Sequence, residues 1–393
     1  MQYRKFGKKP YEVSALSMGC MRLPMMVNDK GESVVDREQA YEMIRYAADN
    51  GINHFDSAYG YHSRTSEEVL GEALEGGRRE KVRIATKQPF RTMQDLSSGG
   101  GATIHENARR NLENTLKKLR TSYIDLYLIH GIGGGNWEDV KSNKIIDLYE
   151  KFRAEGLIKG IAFSFHGNFE TFKDVIEFYD WDMCQVQQNF MDVARECTEE
   201  GIRIAGKKDI AIVVMEPLRG GSLATPPDHV KAIYDEYPVK RTGIEWAFRH
   251  VINYPEVSSA LSGMSTLEQV KQNLEIFAKP DMVANCLSQE EKDIIARVKA
   301  AYESVKGVPC TACNYCMPCP QGVQIPSIFG RYNDGNMFGN FNAPKRGYMF
   351  ITNQKGDASF CTECGECEKK CPQDVKIIKE LKTVHEVLGG WKE

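Results

Sequence analysis

Short apolar runs alternate with amphipathic helical runs along the first two thirds of the chain. Most of the apolar runs are continuous, as is typical of strands that are buried on both faces of a parallel sheet. The candidate strands lie at residues 13–20, 53–58, 82–87, 123–130, 160–165, 184–190, 210–218 and 257–263. The pattern therefore predicts an α/β domain built from eight strand–helix units.

The segments between these strands have the 3.6-residue period of helices. Asp36 is placed to cap the first helix and Gly51 to end it, and later apolar stripes cover residues 104–119, 145–157 and 266–277. Eight such units fit a closed (β/α)8 TIM barrel. An open doubly wound sheet has the same alternation, but the glycine fingerprint that would favour it does not follow the first strand.

The charge balance argues against two classes of partner. The chain has 51 basic and 54 acidic side chains, whereas nucleic-acid and membrane-surface proteins usually carry a basic patch. No run of about 20 apolar residues is present, as a bilayer span would require. No apolar segment follows the first basic residues, so we expect no secretory signal and a cytoplasmic protein.

Eight of the twelve cysteines are concentrated near the C-terminal end, between Cys310 and Cys371. The second run reads Cys361-x2-Cys364-x2-Cys367-x3-Cys371-Pro, which is the spacing of bacterial [4Fe–4S] ferredoxins. Three cysteines at steps of three can surround one face of a cubane, and the fourth, before proline, ligates the other cluster.

The first run departs from this spacing by one residue. It reads Cys310-x2-Cys313-x2-Cys316-x2-Cys319-Pro. Exchange of the fourth ligands gives two complete sets, one of Cys310, Cys313, Cys316 and Cys371 and the other of Cys361, Cys364, Cys367 and Cys319. Zinc is the alternative, but zinc sites usually pair two separate Cys-x2-Cys knuckles.

The cysteine runs define a second domain. The segment that begins at Ser288 has the pattern of a helix. We predict a barrel over residues 1–283, a connecting helix in 284–306, and a small α-rich, ferredoxin-like iron–sulfur domain with two [4Fe–4S] clusters over 307–393.

Ionisable residues stand at the C-terminal ends of three consecutive strands, where barrel enzymes place their chemistry. Asp56 ends the second strand and Tyr61 follows it, while Lys87 ends the third strand and His130 the fourth. Each alone is more often a structural or solvated residue. Together, at adjacent strand ends, the four indicate a catalytic site.

These motifs resemble the aldo/keto reductase family. The segment NHFDSAYGYHSRTSEEVLGEAL contains an Asp followed five positions later by a Tyr, and the Thr-Lys and DLYLIH motifs follow in the family's order. The resemblance covers about residues 1–278, and the C-terminal motifs look like the ferredoxin domain of an iron–sulfur branch. It implies an oxidoreductase that reduces a small-molecule carbonyl substrate with NADP(H) or NAD(H), with two clusters that serve electron transfer or structure.

The resemblance also implies catalytic roles. Tyr61 would donate the proton to the carbonyl oxygen, and Lys87 would lower its pKa because an adjacent ammonium favours the phenolate. Asp56 would hold Lys87 in place and charged, and His130 would orient the carbonyl. Tyr59 is a rival for Tyr61, but only Tyr61 has the five-residue offset.

The cofactor positions carry over less completely. Ser164, Gln185 and Asn273 match family residues near the nicotinamide amide and the adenine, and Met215 lies where many members stack a Tyr on the nicotinamide. The family's Asn after the Ser is Phe165 here.

The basic residues that often bind the 2′-phosphate in this family are absent. Their places are taken by Gly263 and Gln269. The resemblance therefore leaves NADP selectivity open.

Two other functions remain open at this stage. In the first, the clusters supply the electrons with which the barrel reduces its substrate, either directly or through a bound flavin, and an electron-transfer protein is the partner. Alternatively, the chain could be a redox-sensing or interaction subunit with a silent barrel, although the complete set of four catalytic candidates argues against this.

Overall fold

The computed structural model describes residues 1–94 and 103–390. These residues form two compact units: residues 1–221 with 244–288, and residues 222–243 with 289 onwards. Among the helices of the described residues, none is long and apolar enough to cross a bilayer.

The first unit is a closed barrel of eight parallel strands. The described residues contain these eight strands and four others, β1, β2, β4 and β5, which form two separate antiparallel pairs. In chain order the strands are β1 (Tyr3–Lys5), β2 (Glu12–Ser14), β3 (Leu16–Gly19), β4 (Met25–Val27), β5 (Ser33–Val35), β6 (His54–Asp56), β7 (Arg83–Pro89), β8 (Leu126–Ile132), β9 (Ile161–Phe165), β10 (Met183–Gln187), β11 (Ala211–Met215) and β12 (Val257–Gly263). The barrel follows the order β3, β6, β7, β8, β9, β10, β11 and β12, and β12 pairs with β3 to close it. The predicted (β/α)8 barrel is confirmed.

Helices follow the barrel strands and continue into the second unit. They are α1 (Arg37–Asp49), α2 (Ser66–Ala73), α3 (Phe90–Met93), α4 (Ile104–Lys118), α5 (Trp137–Ser142), α6 (Ile145–Ala154), α7 (Phe169–Phe178), α8 (Thr198–Lys207), α9 (Asp228–Glu236), α10 (Gly243–Ile252), α11 (Leu267–Ala278), α12 (Gln289–Ser304), α13 (Ile325–Phe338), α14 (Asn342–Asn353), α15 (Glu366–Lys369) and α16 (Ile377–Leu388). Asp36 caps α1 by accepting from the backbone N–H of Gln39, as the sequence predicts.

The first predicted strand is divided into two. Residues 12–14 form β2, which pairs with β1 as an antiparallel hairpin, and only residues 16–19 enter the barrel. Phe6, between β1 and β2, is fully buried in one apolar cluster with residues of the barrel strands, among them Ala85 and Ala162. The hairpin therefore closes the N-terminal end of the barrel, and the opposite end is left for chemistry.

The second unit has its own hydrophobic core. Helices α13, α14 and α16 pack together around Ile328, Phe329, Ile351 and Leu381. Cys310, Cys316 and other cysteines of the two runs border this core.

Candidate functional site

Lys87 is at the centre of a buried group at the C-terminal end of the barrel. Its Nζ lies 2.5 Å from Oδ1 of Asp56, 2.8 Å from the carbonyl oxygen of Ser57 and 3.3 Å from Oη of Tyr61. The ammonium can donate three hydrogen bonds, and these three oxygens receive them. Lys87 is therefore fixed between a carboxylate and a phenol.

The loop after β6 places Tyr61 beside Lys87. The backbone N–H of Ser57 donates to the carbonyl of Ala85, and that of Tyr59 donates to the carbonyl of Lys87, so the loop continues the pairing of β6 with β7. The N–H of Tyr61 then donates to the carbonyl of Ala58 at 3.1 Å, which closes a tight turn over residues 58–61. The five-residue offset from Asp56 thus spans one hydrogen-bonded extension and one tight turn. The contact of Lys87 with the Ser57 carbonyl was not predicted, because every residue has a backbone carbonyl and the sequence does not distinguish this one.

The electrostatics of the group differ from the sequence expectation in one respect. Burial raises the pKa of Tyr61, and the opposing effect of Lys87 does not reverse this. Burial lowers the pKa of Lys87, but Asp56 and Tyr61 outweigh it, and the net pKa of Lys87 is raised. Lys87 is therefore charged, and Tyr61 carries its proton throughout the physiological pH range.

His130, on β8, lies beside Tyr61. It stands at an irregularity in the pairing of β8 with β9, next to Gly131, whose φ is +67°. Its ring meets the Tyr61 ring edge-on, with 5.9 Å between centroids. Burial, and then the charge of Lys87, lowers the pKa of His130 to about 3, so the imidazole is neutral at pH 7.

Ser164 and Gln185 are direct neighbours on β9 and β10. The Ser164 hydroxyl oxygen accepts from the backbone N–H of Gly131 at 2.8 Å, which leaves the hydroxyl proton to be donated. Gln185 Nε2 donates to Oδ2 of Asp56 at 2.9 Å, which leaves the Gln185 Oε1 as an acceptor. The Ser164 hydroxyl can donate to the carbonyl oxygen of a carboxamide, and Gln185 Oε1 can accept from its NH2 group.

The other predicted cofactor residues lie nearer the rim. Met215 is the last residue of β11 and is half-buried. Asn273 is buried on α11, and its Nδ2 donates to Oγ of Ser262 at 2.9 Å. Gln269 Oε1 accepts from the backbone N–H of Ser265 at 2.8 Å, so this side chain serves the start of α11.

The eight C-terminal cysteines border two hollows in the second unit. One is lined by Cys310, Cys313, Cys316 and Cys371, and the other by Cys319, Cys361, Cys364 and Cys367 together with the edge of Cys316. Each hollow thus combines three cysteines of one run with the last cysteine of the other. Among the described residues, no group of three or more His, Cys, Asp or Glu is arranged around a single metal ion.

The two cysteine loops have the same backbone shape. Ala312 and Asn314 have positive φ in the first loop, and Glu363 and Gly365 have positive φ at the matching places in the second. The Ala312 N–H points at Sγ of Cys310, with 3.4 Å between nitrogen and sulfur. Such loops turn backbone N–H groups towards anionic sulfur, which is the environment that an iron–sulfur cluster needs.

The four outlying cysteines take no part in these hollows. Cys20, Cys184 and Cys197 are buried and Cys286 is half-buried.

Profiles of known protein families match both the barrel region and the cysteine-rich region of the chain. The profile of the aldo/keto reductase family matches residues 15–290, and that of a 4Fe–4S dicluster domain matches residues 309–376. The chain is 25% identical over 303 residues to "Uncharacterized oxidoreductase YqkF" of Bacillus subtilis, covering 70% of this chain and 90% of that protein.

Solved structures show the same barrel. Aldo-keto reductase AKR11C1 from Bacillus halodurans, in its holo form, has a TM-score of 0.62 and 25% identity over 76% of this chain and 96% of its own. An aldo-keto reductase from Klebsiella pneumoniae in complex with NADPH has a TM-score of 0.59 and 23% identity over 76% and 95% of the two chains. The chain is an oxidoreductase that belongs to the aldo/keto reductase family and carries a 4Fe–4S dicluster domain.

Proposed function

We propose that this protein reduces an aldehyde or ketone with NAD(P)H at the C-terminal end of its barrel, and that its second unit holds two [4Fe–4S] clusters. The observation that carries the proposal is the buried contact of Lys87 Nζ with both Asp56 and Tyr61, at 2.5 and 3.3 Å. It is supported by the family of the chain and by the carboxamide-like pair Ser164 and Gln185.

The reaction needs a hydride at the carbonyl carbon and a proton at its oxygen. Bound NAD(P)H supplies the hydride. Tyr61 donates its phenolic proton to the oxygen, and Lys87 stabilises the phenolate that remains. Neutral His130 orients the carbonyl by donating a ring N–H, because a neutral imidazole keeps one such donor.

Asp56 acts through Lys87 rather than on the substrate. Its two oxygens are both used, one by Lys87 and the other by Gln185. A buried ammonium without this carboxylate would lose its proton, because burial disfavours the charged form. Asp56 is therefore a positioning residue, and its carboxylate keeps the charge on Lys87.

The second unit supports the cluster assignment by its donor set. Eight thiols line two hollows, both loops have positive φ at matching places, and an N–H of the first loop is directed at Sγ of Cys310. The clusters would carry single electrons, and an electron-transfer protein is the partner class that suits them.

One experiment separates nicotinamide-dependent reduction from reduction by the clusters. Anaerobically prepared protein is mixed with a panel of aldehydes and ketones, and with NADPH, NADH or dithionite as the reductant. We expect turnover with a nicotinamide cofactor and none with dithionite alone. Turnover that requires dithionite, or an added flavin, would assign the electrons to the clusters and overturn the proposal.

A further inference from the structure

The ring of His62, the residue after Tyr61, is hydrogen-bonded to a different loop at the C-terminal end of the barrel. The backbone N–H of Leu23 donates to Nε2 of His62 at 3.2 Å. Leu23 follows the 3-10 turn over Cys20–Arg22, and that turn follows the barrel strand β3. The bond therefore joins the loop that carries Tyr61, after β6, to the loop after β3.

The His62 ring is in the protonation state that can accept this bond. An imidazole nitrogen accepts only when it carries no proton, so the neutral ring holds its proton on Nδ1. Burial lowers the pKa of His62, and contacts with the backbone of Cys20 and Met21 raise that pKa by less, so the net pKa is lowered. Because the ordinary pKa of histidine is about 6.5, the ring is mainly neutral at pH 7.

The backbone that follows Tyr61 is left-handed over three residues in succession. His62, Ser63 and Arg64 have φ of +48°, +52° and +74°, a region that residues with a Cβ rarely adopt. Such a conformation persists only where the surrounding contacts over-determine it. If those contacts were lost, the segment would relax, and the adjacent Tyr61 would move with it.

Hydrogen bonds within and beside this left-handed segment, residues 62–64, hold its far end. The carbonyl of His62 accepts from the backbone N–H of Thr65 at 3.1 Å and from its hydroxyl at 2.7 Å. The carbonyl of Arg64 accepts from Nζ of Lys118 at 2.7 Å. These bonds fix the segment against the start of α2 and against α4, on the side away from Tyr61.

Two further bonds attach the same stretch of chain to the loop after β3. Oγ of Ser66, the first residue of α2, donates to the carbonyl of Cys20 at 2.9 Å. The bond from Leu23 to the His62 ring does the same beside Tyr61. The stretch is therefore attached at both ends, and the His62 ring provides the attachment next to the phenol.

We propose that His62 is a positioning residue, which holds the Tyr61 hydroxyl at Lys87 through its bond to Leu23, an inference that rests on the proposed function. The contact of Lys87 Nζ with Tyr61 Oη, at 3.3 Å, is the longest of the three hydrogen bonds of Lys87. A small displacement of Tyr61 would break it. Displacement of a reacting group by about 1 Å can lower the rate about 10²-fold.

The test compares two substitutions of His62 in the whole protein with its clusters loaded. His62→Asn suits the left-handed backbone, which asparagine adopts more readily than most residues, but its shorter side chain does not reach the N–H of Leu23. We expect kcat for carbonyl reduction to fall about ten- to hundredfold with KM unchanged. His62→Gln places an oxygen near the position of Nε2 and should restore most of kcat.

A second measurement reports the surroundings of the Tyr61 hydroxyl without turnover. In protein isotopically labelled at Cζ of tyrosine, the NMR resonance of Tyr61 is identified by its absence in Tyr61→Phe. We expect this resonance to shift in His62→Asn and to stay in place in His62→Gln, because it responds to the charge and hydrogen bond at Oη. Ser63→Asn, at the exposed and equally left-handed next residue, is the matched control and should keep both the resonance and kcat of the wild type.

Each other outcome has a defined meaning. An unmoved Tyr61 resonance in His62→Asn, or an equal loss of kcat in Ser63→Asn, would overturn the inference and leave the proposed function intact. A moved resonance with wild-type kcat would support the placement of Tyr61 by His62 and overturn Tyr61 as the proton donor. A wild type that reduces no carbonyl would overturn the proposed function, and the resonance would still decide the role of His62. The thermal midpoint and the visible spectrum of each variant establish that the protein is folded and loaded.

Discussion

The side-chain amide of Gln185 donates a hydrogen bond to Asp56, with 2.9 Å between Nε2 and Oδ2, and so joins the expected cofactor site to the proposed catalytic group. The same carboxylate holds Lys87, and Lys87 holds Tyr61. A substitution of Gln185 is therefore expected to alter both nucleotide binding and the environment of Tyr61, the proposed proton donor. The family resemblance assigns Gln185 to nucleotide binding alone.

Replacement of Tyr61 tests whether the barrel is catalytic. Tyr61→Phe keeps the ring and removes the proton, so we expect kcat for carbonyl reduction to fall by about 10²- to 10⁴-fold, the usual worth of a positioned acid. Steady-state kinetics measures this, and the visible spectrum shows whether the clusters remain. Tyr59→Phe is the control and should stay active. Wild-type turnover by Tyr61→Phe would place the proton donor elsewhere.

Lys87 should matter almost as much as Tyr61. Its charge lowers the pKa of Tyr61 against the effect of burial, so Lys87→Met leaves a weaker acid and a large loss of kcat. His130→Ala should lower kcat less, because water can replace an orienting donor.

The pH profile tests the protonation state of Tyr61. Since the pKa of Tyr61 is raised, the acid form is lost only above about pH 10. A pH profile of kcat/KM that falls between pH 7 and 9 through Tyr61 would contradict this.

The cluster assignment is tested by the iron and sulfide content of the protein and by the number of clusters that remain after a cysteine is replaced. We expect about eight iron and eight sulfide per chain in anaerobic protein, with broad absorbance near about 400 nm. Cys364→Ser should remove one cluster, whereas Cys286→Ser should retain both. Stoichiometric zinc without sulfide would refute the assignment.

Pairs of substitutions test the exchange of fourth ligands between the runs. Cys319 and Cys364 line the same hollow, so the variant C319S/C364S should keep about four iron. Cys371 lines the other hollow, so C371S/C364S should keep none. The reverse result would show that each run holds its own cluster.

Cofactor preference should be weak. Gly263 and Gln269 are uncharged, and Gln269 on α11 accepts a hydrogen bond from the backbone N–H of Ser265, so a 2′-phosphate gains no charge-assisted contact from them. We predict less than about tenfold discrimination between NADPH and NADH, equivalent to under about 1.4 kcal/mol. The ratio of kcat/KM values measures it. A preference of several hundredfold would mean that another basic residue binds the 2′-phosphate.

His54 makes the stability of the barrel depend on pH. It is fully buried, and burial lowers its pKa to about 3. In the unfolded chain His54 has a pKa near 6.5 and is protonated below that pH, whereas in the folded chain it stays neutral. Acid therefore favours unfolding. From pH 7 to 5 this contributes about 2 kcal/mol of lost stability.

The measurement is urea unfolding, followed by circular dichroism at both pH values. His54→Asn, which can still accept a hydrogen bond from Ser17, should lose less stability on acidification than the wild type. Replacement of exposed His229 by Asn should leave the pH dependence unchanged. An unaltered pH slope in His54→Asn would assign the acid sensitivity to other groups.

The sequence by itself determined the parts that depend on local order. Continuous apolar runs and intervening amphipathic stripes predicted all eight barrel strands, because a strand that is buried on both faces has apolar side chains at successive positions. The offset from Asp56 to Tyr61 and the three-residue steps of the cysteines identified the candidate sites, since both are fixed by short stretches of chain. The outer bounds were less accurate: residues 12–14 form β2 of a closing hairpin, outside the barrel.

The tertiary structure alone decided which distant groups meet. Closure of the barrel brings Gln185 to Asp56 and Arg22 to Gly263, and no local pattern records a contact that arises when the last strand pairs with the first. Burial, which depends on the whole packed chain, sets the raised pKa of Tyr61 against the lowering effect of Lys87. The sequence named the candidate catalytic residues, and the packed barrel set their charges and their neighbours.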